Sequence, residues 1–398
     1  MNTLNVFKVA VIVLMASLST YATNGYFQHG YGTRASGMGG AAIAAPEDTF
    51  ATVNNPAGLV DQKNRFDAEL TWFNPIRSTT LMGTEFQSGA TSFLMPNLGY
   101  SSLISETMSW GLTFVAAGGM NTTYDSPSLF NNPQTPQAVG TTNIYSNLAQ
   151  MYLIPSWSMQ LNRDHSVGVS LNVVYQTFEA RGLQAFGIQD QGQDTSTGFG
   201  LRVGWKGRLT ETLSLGATYQ METTMSAFSK YKGLFAEQGK FNIPATYGIG
   251  AQFKATESLT LALDSTWILY SAVKSLGNKM TQTAPLGADN GSGFGWADQN
   301  ILKLGLAYTL NEDWTLRGGL NSAKMPVSSS QTMFNVLAPA VIESHYTLGA
   351  TMNLGDGAEL NLSYMYAPEV KLTGTDMATG YDLKMKQQDL HIGYSLKM

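Results

Sequence analysis

The amino-acid sequence predicts an all-β fold, a single antiparallel barrel that crosses a membrane. Charged residues make up only 13% of the chain, whereas 41 residues are glycine and 11% are aromatic, a composition that favours strands and turns over helices with charged surfaces. From about residue 65 onwards, apolar and small polar residues alternate with a period of two. The alternating segments reach about ten residues, the strand length that is typical of outer-membrane barrels.

The alternation is clear in individual segments. Leu213, Leu215 and Tyr219 fall on one face of a strand, and Ser214 and Thr218 fall on the other. A barrel in a membrane needs this arrangement, because its outer face contacts lipid while its inner face is polar. A soluble sandwich also alternates, but its strands are shorter, about five to six residues.

The spacing of the segments gives the number of strands. Short polar turns, such as 162–165 and 254–257, alternate with long irregular loops over 124–146, 271–296 and 325–341. Short turns are typical of the periplasmic side of a barrel and long loops of the outer side. We predict fourteen strands, which begin near residues 64, 88, 107, 144, 165, 194, 212, 242, 257, 296, 313, 341, 357 and 382.

The first residues predict export from the cytoplasm. Lys8 precedes an apolar run over 9–18, and the small-residue exit 20–22 follows it, so we predict a signal peptide over residues 1–22. The run is too short for a membrane-spanning helix, which needs about 20 apolar residues. The expected location of the mature chain is therefore the bacterial outer membrane.

Several classes of protein are disfavoured. The chain has no cysteine and a formal net charge of −5, so disulfides, cysteine metal sites and a basic nucleic-acid surface are not expected. A GxGxxA pattern begins at Gly30, but no strand precedes it, and we expect no cofactor. The histidines, His29, His165, His345 and His391, lack any metal-binding spacing, and we assign no metal site.

Residues 23–63 lie before the first strand, are rich in glycine and alanine, and show no strand alternation. A barrel of fourteen strands encloses a lumen too wide for its lining side chains to fill. We therefore predict that residues 23–63 form a hatch that plugs the lumen and that residues 64–398 form the barrel. Within the hatch, Asn55-Pro56-Ala57 predicts a rigid turn, because asparagine favours an Asx-turn and proline fixes φ.

Two hatch motifs, Arg34-Ala35-Ser36-Gly37-Met38-Gly39-Gly40 and Asn55-Pro56-Ala57-Gly58-Leu59, resemble those of a known family. It is the FadL type of long-chain fatty acid transporter (FadL/OmpP1/TodX), which also includes channels for aromatic hydrocarbons. The similarity continues through Met95-Pro96-Asn97, Trp110-Gly111-Leu112 and Asn242-Ile243-Pro244, so it covers essentially the whole mature chain. The resemblance implies a hatch, an outer hydrophobic groove and a sideways exit where the third strand kinks.

The position of that kink matches Ala117, Gly118 and Gly119. Adjacent glycines inside a strand often mark a bulge or a sharp bend. The alternative is an ordinary strand end. We favour the kink, because a bend would unpair the backbone ladder and leave a gap in the barrel wall.

The residues expected to contact a transported molecule fall into three groups. The mature N-terminus would reach a dry pocket, apolar residues on the outer loops would form a groove, and two cations at outer strand ends would meet a carboxylate. In that order they are Asn24, Gly25, Tyr26 and Phe27; Leu129, Phe130 and Phe186; Arg181 and Lys324. Solvated or hatch-paired charges are the alternative for the two cations.

We expect passive uptake of hydrophobic small molecules, with long-chain fatty acids as the first candidate. The route would run from capture at the outer loops, through a movement of the hatch, to lateral exit through the barrel wall. An aromatic-hydrocarbon channel, a general porin and a lipid hydrolase using a serine with His345 or His391 are the alternatives. We expect no enzymatic activity, a monomer in contact with outer-membrane lipid and lipopolysaccharide, and no nucleic-acid partner.

Overall fold

A computed structural model of the chain describes residues 24–81, 83–126, 143–281 and 284–398. The predicted signal peptide, 1–22, lies outside the described residues. Fourteen long strands form one antiparallel sheet. They are β1 Arg65–Leu81, β2 Phe93–Ser105, β3 Met108–Tyr124, β4 Ile144–Gln160, β5 His165–Arg181, β6 Asp194–Arg208, β7 Leu213–Gln220, β8 Thr246–Lys254, β9 Leu259–Ile268, β10 Gln299–Thr309, β11 Trp314–Ala323, β12 Ser344–Gly355, β13 Ala358–Leu372 and β14 Tyr381–Lys397.

The sheet closes on itself. Each long strand pairs with its neighbours in the chain, and β14 pairs with β1 from Lys397 opposite Arg65 to Tyr381 opposite Leu81. Two short strands, Thr84–Gln87 and Thr224–Met225, add to β1 and β6. The predicted fourteen-stranded antiparallel barrel is confirmed. Most strands start within a few residues of the predicted positions, because each alternating segment reports its own strand.

The two ends of the barrel differ. At the end that we call the turn end, short connections such as 105–108 and 355–358 join consecutive strands. At the opposite, loop end, long connections such as 220–246 and 268–299 cross the mouth. Their buried aromatic residues form one apolar core over the mouth, which includes Phe228, Tyr231, Phe235, Trp296 and Phe334.

Helical segments are short throughout the described residues. The α-helical turns are Thr33–Ser36, Ala51–Asn54, Ala236–Gly239, Lys274–Gly277 and Thr332–Asn335. The 3₁₀ turns are Pro56–Gln62, Gln184–Phe186, Ser229–Tyr231, Tyr270–Ala272, Ser329–Gln331 and Asp376–Ala378. In the part of the chain that the structure describes, no helix has the length and apolar character needed to span a membrane.

Residues 24–63, which we call the hatch, lie inside the barrel. At several points where the hatch touches the wall, the inward-facing residue is glycine. A Cβ on Gly168 would lie 2.4 Å from the carbonyl carbon of Pro56, and a Cβ on Gly319 would lie 2.2 Å from the backbone nitrogen of Gly39. Side chains at these wall positions would collide with hatch backbone, so part of the high glycine content is explained by the plug.

Candidate functional site

The barrel wall has a gap between β2 and β3. Pairing of these strands runs from the turn end only as far as Asn97 opposite Val115. Beyond that point residues 93–96 and 116–122 are not paired with each other. The strands' extensions meet again at an isolated bridge between Ser88 and Tyr124, so the gap is bounded at both ends.

A bulge in β3 accompanies the gap. The register between β3 and β4 shifts between Ala116 and Gly118, which leaves Ala117 as an extra residue. On the opposite strand Pro96 has no N–H to donate to a ladder. The irregularity therefore lies at the predicted position, Ala117, Gly118 and Gly119, and its role as an exit stays a prediction.

The beginning of the hatch covers the gap from inside. In these residues, 24–28, which we call the strap, Phe27 forms an isolated antiparallel bridge with Gly118. The Gly119 N–H donates to the Tyr26 carbonyl at 3.3 Å, and the Gln28 side chain donates to the Ala116 carbonyl at 2.6 Å. The strap thus supplies β3 with some of the backbone partners that β2 does not.

A cavity of about 350 Å³ lies between the strap and the wall. Its lining is mainly apolar and includes Tyr26, Phe27, Phe73, Phe93, Met120 and Trp296. It also includes Leu94, which is 66% exposed on the lipid-facing side of β2, and Ala116 on the edge of the gap. The cavity therefore reaches from the lumen to the outer surface of the barrel through the gap.

One buried cation lines this cavity. Arg77 faces inwards from β1, is 6% exposed, and stacks over the Phe93 ring with 5.8 Å between the guanidinium carbon and the ring centroid. It donates a hydrogen bond to the Ala90 carbonyl, but its Nε has no partner and it forms no ion pair among the described residues. A buried cation without a counter-charge is costly, so this site favours an anion.

The structure separates the nine residues that the sequence assigned to ligand contact. Gly25, Tyr26 and Phe27 line the cavity, whereas Asn24 lines a smaller internal cavity of about 80 Å³ on the other side of the strap. Phe186 packs against Phe334 in the core over the mouth, with 6.1 Å between ring centroids. Leu129 and Phe130 lie outside the described residues.

The two predicted cations do not line the cavity. Arg181 pairs with Glu179 at 2.7 Å and stacks over Tyr145, and Lys324 is exposed to solvent. Sequence reasoning chose them because they lie at outer strand ends, and it missed Arg77. The signal for Arg77 was available, since an arginine at an inward position of a long strand faces the lumen.

The hatch motifs hold the plug to the wall. The Asn55 amide donates to the carbonyls of Ile43 at 2.7 Å and Trp205 at 2.9 Å, and its Oδ1 accepts from the Ala57 N–H at 3.1 Å. The last bond is the Asx-turn expected from the sequence, with Pro56 at its corner. Ser166 of β5 donates to the Ala57 carbonyl at 2.8 Å.

The other hatch motif is fixed by charge and by close approach. Arg34 forms an ion pair with Glu359 of β13, which crosses from the hatch to the wall. Thr347 of β12 donates to the Gly37 carbonyl at 3.1 Å, and a Cβ on Gly37 would lie 3.1 Å from the Cα of Gly349. The hatch is therefore anchored at several points around the barrel.

The fold also gathers three of the four histidines. His29 of the hatch lies beside His345 of β12 and His391 of β14, with ring centroids 5.5 and 5.8 Å away. Burial lowers the pKa of His29 to about 4, so its ring is neutral at ordinary pH. Spacing along the chain could not reveal this cluster, because its members come from three distant segments.

A closed barrel with an apolar outer face, an internal plug and a cavity that opens through its wall defines a membrane channel. The model of one family, outer membrane protein transport proteins (OMPP1/FadL/TodX), matches residues 10–397, and the chain belongs to this family. The family consists of outer-membrane transporters of hydrophobic substrates, and the protein is located in the outer membrane.

Solved structures share the fold at low sequence identity. The Pseudomonas putida toluene transporter TodX is 18% identical, over 93% of this chain and 99% of that one, with a TM-score of 0.72. A Pseudomonas aeruginosa FadL homologue is 17% identical over 94% and 99%, with a TM-score of 0.70. The Ralstonia pickettii toluene transporter TbuX is 17% identical over 93% and 99%, with a TM-score of 0.66. No curated protein sequence matches the chain.

Proposed function

We propose that this protein takes up hydrophobic small molecules passively and releases them sideways, through the gap between β2 and β3, into the membrane. The observation that carries the proposal is the continuity of one apolar cavity from the strap to lipid-facing Leu94. A ligand captured among the outer loops would enter this cavity, displace the strap and leave through the wall.

Lateral release has a physical advantage. An apolar molecule that left through the turn end would expose its surface to water, at a cost of about 25 cal/mol per Å². A path through the gap keeps that surface in contact with protein or lipid. The movement needs a concentration gradient and no catalysis. Among the described residues neither His345 nor His391 hydrogen-bonds a serine hydroxyl, so the geometry gives a lipid hydrolase no support.

We further propose that the ligand is a long-chain fatty acid. Such a molecule has a long apolar chain and one carboxylate, and the cavity offers an apolar lining with one buried, unpaired cation, Arg77. Arginine binds carboxylates well, because its guanidinium presents two parallel donors. The proposal assigns to Arg77 the role that sequence analysis had given to Arg181 and Lys324.

The test compares uptake of oleate and of toluene in a deletion strain that carries wild-type protein, Arg77→Gln or the control Arg163→Gln. Arg163 lies exposed in a short connection at the turn end, far from the cavity in the fold. We expect Arg77→Gln to lower oleate uptake about tenfold, the effect of losing about 1.4 kcal/mol of binding, while Arg163→Gln has none. Unchanged oleate uptake by Arg77→Gln would contradict the fatty-acid assignment.

A monoaromatic hydrocarbon is the second candidate ligand. Aromatic rings lie within the strap and beside it. Tyr26 stacks on Phe27 with 4.8 Å between ring centroids and lies 6.0 Å from the ring of Trp296. TodX and TbuX, which share the fold, are described as toluene transporters. Protein-dependent uptake of toluene that Arg77→Gln leaves unchanged, without uptake of oleate, would favour this candidate.

A general porin is distinguished by conductance. The hatch occupies the lumen and bonds to the wall, so we expect the intact protein to show little steady ion current in planar bilayers. Large steady currents would instead indicate an open aqueous pore.

We also propose that the barrel works as a monomer in contact with outer-membrane lipid and lipopolysaccharide.

A further inference from the structure

A buried group of histidine and carboxylate side chains joins the hatch to the wall beside the cavity. His29 comes from the hatch, and Asp389 and His391 come from β14. The His29 Nδ1 lies 3.5 Å from Asp389 Oδ2, and the His391 Nε2 lies 3.0 Å from Asp389 Oδ1. One ligand atom from each of the three residues lies within 4.8 Å of the others, and all three side chains are buried.

The outer nitrogen of each ring faces an acceptor. His29 Nε2 lies 3.3 Å from the Ser36 carbonyl oxygen, and His391 Nδ1 lies 3.1 Å from Glu69 Oε1. A carbonyl or carboxylate oxygen only accepts, so hydrogens on these nitrogens satisfy both contacts. The Thr71 hydroxyl lies 2.9 Å from His391 Nδ1 and donates to Glu69 Oε1, so it fits the same assignment as an acceptor from His391. In the neutral rings the lone pairs then point from His29 Nδ1 and His391 Nε2 towards Asp389.

This arrangement places electron-rich atoms opposite one another. Two imidazole lone pairs facing a carboxylate repel it unless a positive charge lies between them. The charge can be a proton on the rings or a metal ion. Histidine ligands of metals are characteristically held by a carboxylate or a backbone carbonyl at the other ring nitrogen, as Glu69 and Ser36 hold these two.

We propose that His29, Asp389 and His391 bind one divalent transition-metal ion of the zinc class. Zinc prefers imidazole nitrogen and carboxylate oxygen at about 2.0 to 2.2 Å, and ligands at the corners of such a tetrahedron lie about 3.3 Å apart. The His29 and His391 nitrogens lie 3.5 and 3.0 Å from Asp389, each measured to a different oxygen of the carboxylate, and one ligand atom from each of the three residues can lie within 4.8 Å of the others.

An ion bound by these residues would lie at the edge of the cavity. His29 and Asp389 both belong to the cavity lining, so a water molecule or a ligand oxygen can reach an ion held between them. The ion also connects the hatch to β14, because His29 follows the strap directly in the chain. Metal binding thus fixes the hatch at the edge of the ligand cavity.

The experiment uses full-length protein in detergent, stripped with EDTA, dialysed and titrated with Zn²⁺ by calorimetry, with metal content measured by mass spectrometry. We expect one Zn²⁺ per chain for wild type. His29→Gln removes a ligand from the hatch, and we expect at least about tenfold weaker binding. His165→Gln, at the turn end and outside the cluster, is the matched control and should bind as wild type does.

Co²⁺ gives an independent readout, because a tetrahedral site with nitrogen and oxygen ligands produces visible absorption bands that His29→Gln should abolish. Barrel folding is checked for each variant by circular dichroism and heat-dependent migration in gels. The titration of wild-type protein tests the site even if a variant fails to fold. Stoichiometric binding that His29→Gln leaves unchanged, or no stoichiometric binding by wild type, overturns the proposal. Neither readout depends on uptake, so a failure of the metal-site proposal is distinct from a failure of the transport proposal.

Discussion

The two parts of the hatch are held in different ways. The body, residues 33–62, is fixed by side chains that bond across to the wall, such as Asn55 to the Trp205 carbonyl and Arg34 to Glu359. The strap, residues 24–28, lies on β3 through one backbone bridge and the hydrogen bonds of Tyr26 and Gln28. It also has aromatic contacts, and one side-chain bond, from the Tyr270 hydroxyl to the Asn24 carbonyl at 2.6 Å. The body closes the lumen, whereas the strap covers the gap.

This contrast indicates that the body and the strap have different roles in transport. Breaking the buried polar bonds of the body leaves unpaired groups, each of which costs about 1 to 3 kcal/mol. The strap bridge sits next to a cavity, where an entering apolar molecule can replace the aromatic contacts. We therefore expect the body to stay in place during transport and the strap to move.

The largest expected effect comes from filling the gap. Ala116→Trp places an indole at the edge of the gap, where Ala116 lines the cavity. Oleate uptake should fall at least about tenfold, because the indole blocks the exit and raises the barrier to release by more than about 1.4 kcal/mol. Uptake in the deletion strain measures it.

Leu112→Trp is the matched control for this substitution. Leu112 is exposed to lipid on the same strand, but it lies where β3 is paired with β2, opposite Tyr100. Its uptake should equal that of wild type. Equal uptake by the two tryptophan variants would contradict exit through the gap.

The next effect concerns the body. Asn55→Ala leaves the buried carbonyls of Ile43 and Trp205 without this donor, and we expect a loss of stability of about 2 to 4 kcal/mol. Thermal unfolding in detergent and ion conductance in planar bilayers both report it, since a loosened plug admits ions. Asn353→Ala, at an exposed position near the turn end of β12, should change neither measurement. Wild-type conductance in Asn55→Ala would show that the body is held by other contacts.

Displacing the strap should affect transport more than stability. A Cβ at Gly118 would lie 2.1 Å from the Tyr26 carbonyl oxygen, so Gly118→Ala must displace the strap from β3. We expect a smaller change in melting temperature than for Asn55→Ala, and a several-fold faster entry of the membrane dye N-phenylnaphthylamine into cells. Slower entry of the dye, with normal folding, would mean that the strap does not cover the exit.

The smallest effect is expected at the exposed cations. Arg181 already pairs with Glu179, and surface ion pairs contribute about 0 to 1 kcal/mol. Arg181→Ala and Lys324→Ala should each change oleate uptake less than about twofold, a difference of about 0.4 kcal/mol. Uptake curves over a range of oleate concentrations provide the measurement. A tenfold loss in either variant would restore that residue to the ligand path.

The sequence predicted the features that depend on residues close together in the chain. Alternation located the strands, the glycine pair marked the bulge near Ala117, and Asn55-Pro56 indicated a turn that the Ala57 N–H completes. Features made by distant segments could not be read in this way. The bridge from Phe27 to Gly118 joins the hatch to β3, and the cluster of His29 and His391 appears only when the hatch enters the barrel.

Loop residues were the least predictable part of the site. Phe186 has the apolar character expected of a ligand groove, yet it packs on Phe334 in the core over the mouth. The arginine that lines the cavity is Arg77 and not Arg181, because the cavity borders the inward face of β1 and not the strand ends. Which loop residues meet a ligand depends on packing between loops, and local patterns do not encode that packing.

Photo-crosslinking tests the central claim, lateral release through the gap, most directly. Protein in lipid vesicles would be irradiated with a diazirine-bearing fatty acid, with and without excess oleate, and the labelled peptides mapped by mass spectrometry. We predict oleate-sensitive labels on residues 93–96 and 116–121, which flank the gap. Labels confined to the hatch at the turn end, around residues 60–63, would show that the ligand passes through the lumen instead.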